Sequence, residues 1–168
     1  MGSGTRTALY VPFFVSIMLV LVPYALLSSG GTFSLASPAQ ALCGSLLIVL
    51  GLSAGSWTIW DLAVSGRGTP NPLDPPRELV TRGLYRYVRN PMALGFVTTL
   101  LGQAALFHSI ALLTYALIAF GAVHLLVVLH EEPAHRRRFG AAFETYCSAV
   151  PRWMPRLGAS RRTPPSPG

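Results

Sequence analysis

The stretch Gly83 to Gly95, G-L-Y-R-Y-V-R-N-P-M-A-L-G, decides the fold, because it joins a cluster of arginines to a proline that opens about forty residues without a charged side chain. One end must sit in water and the other in hydrocarbon, so a site built here lies at a membrane surface. Asn90 followed by Pro91 has the form of an N-cap and first helical residue, since asparagine accepts an amide hydrogen bond and proline lacks the otherwise orphaned N–H. The helix starting there is expected over 91–107, with a turn at His108-Ser109 and a return over 110–129. Charges then come back as His130, Glu131, Glu132 and Pro133, and an antiparallel hairpin brings this second polar edge beside the first.

Outward from that hairpin, 51% hydrophobic and 11% charged residues with a mean hydropathy of +0.48 make the bilayer the expected solvent and partner. The formal charge of +7 comes from basic residues that are all arginine, and all but Arg6 lie at or after Arg67. Arginines flanking apolar runs suit cytoplasmic loops against anionic lipid, and no reading fold for nucleic acid surrounds them. Cys43 and Cys147 have neither C-x-x-C nor metal spacing, which implies no disulfide framework.

A first membrane helix is expected over 8–27, since twenty residues span about 30 Å of hydrocarbon. Ala39-Gln-Ala41 mimics a signal-peptide cleavage site, but the apolar run is longer than a usual signal core. A second helix over 39–64 carries Gly44, Gly51 and Gly55, small residues suited to close helix contact, and ends in Trp57, Trp60 and Asp61 at the interface. Ser65 to Arg82 is too rich in proline and glycine for a continuous helix and reads as a cytosolic loop. Pro133 is expected to break the fourth helix near Glu131. Beyond it Phe139, Phe143, Tyr146, Cys147 and Val150 follow helical spacing, which describes a short interfacial amphipathic helix at about 133–148. The predicted fold is all-α: an integral membrane bundle of four transmembrane helices plus that interfacial helix, one domain over 1–157 and a disordered tail over 158–168. Arginine placement puts both termini in the cytoplasm, and nothing in the sequence fixes an oligomeric state.

Glu131 and Glu132 offer acceptors to a cofactor with a cationic centre and hydroxyls, while the amide-rich start of the third helix offers donors to its carboxylate. Zinc is not expected: in H-E-E-P-A-H the histidines are five apart with a proline between them, where H-E-x-x-H needs four on an intact helix. His124 reads as an interhelical hydrogen-bonding residue.

Three ordered motifs carry a family resemblance. G-T-P-x-P-x-D-P-P at Gly68 to Pro76, L-V-x-x-G-x-Y-R-Y-V-R-N-P-M at Leu79 to Met92, and E-E-P with F-G-x-x-F-x-x-Y and V-P-R-W-M-P at Glu131 to Pro155 are together similar to the isoprenylcysteine carboxyl methyltransferase family. The resemblance implies a bacterial-type membrane methyltransferase of the inner membrane that binds S-adenosylmethionine at the cytosolic ends of its last two helices and takes a lipophilic acceptor from the bilayer. It implies cofactor contacts at Leu79, Val80, Tyr85, Asn90, Pro91, Met92, Ala93 and Glu131, with Glu132 beside them. The chain departs from the family's R-H-P-x-Y at Asn90 and Ala93. It also has Val127 where eukaryotic members place an arginine for the substrate carboxylate, which weighs against a prenylcysteine acceptor. A carboxylate acceptor is ionised at neutral pH and needs no base, so no catalytic residue is assigned. Two other readings stand beside this one: a membrane reductase resembling sterol reductases and using NADPH, and a non-catalytic protein that keeps the fold.

Overall fold

The computed structural model describes residues 13, 15–29, 37–65 and 79–156, and among them every regular element is helical. Helix α1 runs Ile17–Ser28 and α2 runs Pro38–Ser65. A 3₁₀ turn at Gly83–Arg86 leads to α3, Pro91–Leu106, then α4, Ile110–Phe139, and finally α5, Ala141–Ala149. Two stretches are long and apolar enough to cross a membrane, Pro38–Leu62 and Ile110–Phe139, whereas α1 and α3 are shorter apolar helices. Side chains such as Leu46, Leu50, Trp60, Leu117, Ile118 and Leu125 stand exposed on their outer faces, a distribution that suits lipid and not water. Residues 66–78 of the expected proline- and glycine-rich loop, most of the first helix's N-terminal half and the tail fall outside the described residues.

Helices α2 and α3 touch backbone to backbone, and glycine makes this possible. A Cβ built at Gly44 would stand 2.6 Å from the Leu106 nitrogen, and one at Gly51 would stand 2.6 Å from the Gly95 oxygen; real Cβ contacts essentially never fall below 3.0 Å. From the other side, a Cβ at Gly95 would meet Gly51 O at 2.7 Å and Gly55 N at 2.8 Å. This is the small-residue seam by which membrane helices gain dispersion without a hydrophobic driving force. The expected contact face holds for Gly44 and Gly51, while a Cβ at Gly55 would meet nothing within 4 Å. Hydroxyls buried along the same pair are satisfied within their own helices: Thr99 Oγ1 donates to Gly95 O at 2.9 Å and Thr58 Oγ1 to Ala54 O at 2.7 Å.

At the end of the bundle away from the arginines, α2 begins on a reciprocal cap: Gln40 N donates to Ser37 Oγ, and Ser37 N donates to Gln40 Oε1 at 3.1 Å. Ser109 caps α4 by accepting from Leu112 N, and Gln40 Nε2 lies 3.4 Å from His108 Nδ1, so the α3–α4 turn sits over the start of α2.

Among the described residues two prolines lie inside helices, and both are handled in one way. Ile17–Leu21 is a wide π turn closed by Val22 N–H to Ile17 O, and Pro23 follows directly. The carbonyls that Pro23 leaves without an amide find side chains of other helices: Gln103 Nε2 donates to Leu19 O at 2.8 Å and Tyr115 OH to Met18 O at 3.0 Å. The same pattern corrects the expected break near Glu131. Val127–Glu131 is a π turn closed by Glu132 N–H to Val127 O, and α4 continues through Pro133 to Phe139. A wide turn moves the preceding carbonyls away from the proline ring, so the helix tolerates Pro133 without breaking.

The single interfacial helix expected at 133–148 is also corrected. Glu132–Phe139 is the end of α4, Gly140 at φ 52 interrupts it, and α5 follows. Phe143, Tyr146 and Val150 turn inward to a cluster with Leu79, Phe139 and Cys147, so this apolar face is covered by the protein itself.

Candidate functional site

Leu79, half-buried, and Val80, buried, bring the chain back beside α5. Gly83 then adopts φ +55, where a side chain is strained, and a Cβ there would collide with the Asp61 carboxylate at the end of α2. That contact seats the 3₁₀ turn against α2 and places Tyr85. Tyr85 O accepts from Tyr146 OH at 2.8 Å. Burial pushes the Tyr85 phenol well above its ordinary pKa, and the charges of Glu131 and then Asp61 push it further. The phenol therefore lies in the field of two carboxylates from two other helices. Burial likewise raises the Tyr146 phenol, with Tyr85 next among the causes.

Glu132 has a different environment although it neighbours Glu131 in sequence. It is 5% exposed, and its carboxylate accepts from Arg89 Nη1 at 2.9 Å, from Arg152 Nε at 2.7 Å and from Arg152 Nη2 at 2.9 Å. Arg136 stands 3.9 Å away on the next turn of the helix. Arg89 Nη1 also lies 3.0 Å from Cys147 Sγ. Burial raises the Cys147 thiol pKa against the pull of that guanidinium, and the Glu132 hydrogen bond raises that of Arg152. Breaking one partner of so enclosed a pair typically costs about 3–5 kcal/mol, since the other charge is left desolvated.

The C-terminal segment straps this clasp to the 85–90 loop. Arg89 N donates to Pro151 O at 2.9 Å, Arg156 N to Tyr87 O at 3.0 Å, and Asn90 Nδ2 to Arg152 O at 3.3 Å. Asn90 holds the N-cap position as expected from sequence, but its side chain makes no capping bond, and its Nδ2 donates to this distant carbonyl. Trp153 Nε1 donates to His124 Nδ1 at 3.0 Å and stacks edge-on to Phe120, so the partner of His124 is the strap and not a neighbouring transmembrane helix.

Tyr85 and Glu131 are brought together, Glu131 remaining exposed. Pro91 is buried at the first position of α3, Ala93 is half-buried and Met92 is exposed beside them. An apolar groove of about 480 Å³ runs between Ala54, Leu84, Tyr87, Val88, Pro91 and Leu94, and its lining includes neither Tyr85 nor Glu131. From sequence Asp61 reads as merely interfacial; the signal that marks it out is that no other acid occurs within the apolar run 39–64. Arg89 and Arg152 are legible in the sequence only as members of motifs. Among the described residues no group of three His, Cys, Asp or Glu side chains could hold a metal ion.

Helices long and apolar enough to cross a membrane, with the arginines, aspartate and glutamates of the described residues gathered at one end, define a membrane protein built around an interfacial polar site. A family model described as phospholipid methyltransferase matches residues 39–142, more than half of the chain, and the chain belongs to that family. The isoprenylcysteine carboxyl methyltransferases belong to the same family, so the chain is a methyltransferase of the membrane kind. The matched stretch carries Asp61, Tyr85 and Glu131 but ends before Tyr146 and Arg152. No curated protein and no solved structure matches the chain.

Proposed function

We propose that the chain transfers a methyl group from S-adenosylmethionine to a lipophilic acceptor, with a carboxylate the simplest nucleophile. The observation that carries this reading is the convergence of Asp61, Tyr85 and Glu131 from three separate segments. Two carboxylates acting on one phenol form an oxygen-rich set suited to a cationic ligand bearing hydroxyls. Glu131 and Asp61 would hold the positive end, Tyr85 would orient it, and the Asn90 to Ala93 turn would offer amides to a carboxylate. The cofactor supplies a methyl group already activated on a sulfonium. The protein's part is then to align acceptor and methyl, a contribution on the order of 7–11 kcal/mol when the geometry is right.

Beside the Pro91 end of α3, the apolar groove has the capacity to take the acceptor's hydrophobic portion. In this reading all four apolar helices cross the bilayer, both termini face the cytoplasm, and the membrane is a bacterial inner membrane. Calorimetry in detergent with S-adenosylhomocysteine tests the proposal. The wild type is expected to bind, and Glu131→Gln to bind roughly 10- to 100-fold more weakly, the loss of one charge-assisted hydrogen bond. Absence of binding by the wild type defeats the proposal, and saturable binding of NADPH in its place would favour the reductase reading.

A further inference from the structure

Adjacent glutamates in one helix cannot share an environment, and something must decide which enters the arginine clasp. Val127 is 2% exposed and Glu132 is 5% exposed, so the two lie on one face of α4. In a regular α-helix each residue advances about 100°, which would carry position 132 about 140° away from 127 and leave 131 only about 40° from it. The π turn at Val127–Glu131 takes one more residue for the same revolution and realigns 132 with 127. Both wide turns in the described helices are followed directly by a residue closing an i to i−5 bond and then by a proline, Pro23 in one and Pro133 in the other.

We infer that Pro133 is a positioning residue: the wide turn it imposes sends Glu132 into the Arg89–Arg152 clasp and thereby leaves Glu131 beside Tyr85. Without the turn, every residue beyond it would take the place now held by its successor. Glu131 would enter the clasp and His130 would face Tyr85. Glu131 as a cofactor ligand rests on the proposed function, whereas the register itself does not.

The test uses the full-length protein in detergent. Pro133→Ala is expected to weaken S-adenosylhomocysteine binding by at least about tenfold. Thermal unfolding reads the register without any cofactor: in the wild type Glu132→Gln lowers the midpoint by several degrees and Glu131→Gln does not, and in the Pro133→Ala background the two exchange effects. Deleting Val128 from Pro133→Ala restores the face in a regular helix, so binding returns to within a few-fold of wild type. A purely structural proline would produce neither the exchange nor the rescue. The inference is overturned if Pro133→Ala binds like wild type with Glu132→Gln still the destabilising change, or if removing Val128 rescues nothing. Should Pro133→Ala be too unstable to purify, recovery of a folded protein on deleting Val128 supports the register and failure to recover it overturns it. A wild type that does not bind while the Gln effects still exchange sinks the proposed function alone.

Discussion

Replacing Gly51 by alanine probes the α2–α3 seam at one of its tightest points, and Gly55→Ala supplies a control one helical turn further along. A Cβ at position 51 would stand 2.6 Å from Gly95 O and 2.7 Å from Thr99 N, and nearer still to Thr99 Oγ1, against 3.4 Å for ordinary contact. Helix α3 must therefore retreat by about 0.8 Å, the difference between 2.6 and 3.4 Å, and a gap of that size forfeits roughly a quarter to a half of each affected dispersion contact. Overpacking of this kind costs about 1–3 kcal/mol. Alanine in place of glycine gives back about 0.8–1.0 kcal/mol of helix propensity at either site. Position 55 has no collision to offset that gain, since a Cβ there meets nothing within 4 Å. The two variants should thus separate by about 1–3 kcal/mol, which for a chain of this size is roughly 2–12 °C in unfolding midpoint, with Gly51→Ala the less stable. Thermal unfolding of both in the same detergent is the assay. Equal midpoints, or a more stable Gly51→Ala, would refute the backbone-contact argument.

Three further outcomes are expected. Gly83→Ala forces a side chain to φ +55 at about 1–2 kcal/mol and against the Asp61 carboxylate, so S-adenosylhomocysteine affinity should fall by roughly tenfold or more, measured by calorimetry. Tyr115→Phe leaves Met18 O without its donor within the bundle, and a loss of about 0.6–1.7 kcal/mol in reversible unfolding checks it. The raised phenols of Tyr85 and Tyr146 contribute stability that is present below the ordinary tyrosine value of about 10 and is lost as pH climbs through it toward their higher folded values. The unfolding midpoint should therefore fall on the alkaline side, and more shallowly in a Tyr85→Phe, Tyr146→Phe double variant. An identical alkaline slope in both proteins would count against buried neutral phenols.

Local chemistry is legible in the sequence wherever neighbours in the chain decide the outcome. Asn90-Pro91 marks the start of α3 because the missing N–H belongs to the first turn, and Gly44 and Gly51 announce a close helix contact by spacing alone. The outcome at Asn90 is not legible, since its amide is engaged by the carbonyl of Arg152, a residue that no local pattern connects to it. Glu131 and Glu132 look alike as text, and only a change of helical register separates them. Pro133 carries, from sequence, its average effect of a break, whereas the helix absorbs it in a wider turn. Asp61 is easily underrated because the Gly83 to Arg86 turn packed against it is distant in sequence, as is Glu131 of α4, which acts on the same Tyr85 phenol.

The arginine clasp also bears on biogenesis. Glu132 leaves the ribosome twenty residues before Arg152, the cation that holds it most closely. When α4 enters the membrane co-translationally, Arg89 and Arg136 are the counter-charges already synthesised or next to follow, and the carboxylate gains its bidentate partner only as the last segment emerges. Nascent chains stalled short of Arg152 should therefore insert with their site still open, and quality-control proteases have in that interval a specific window in which to act.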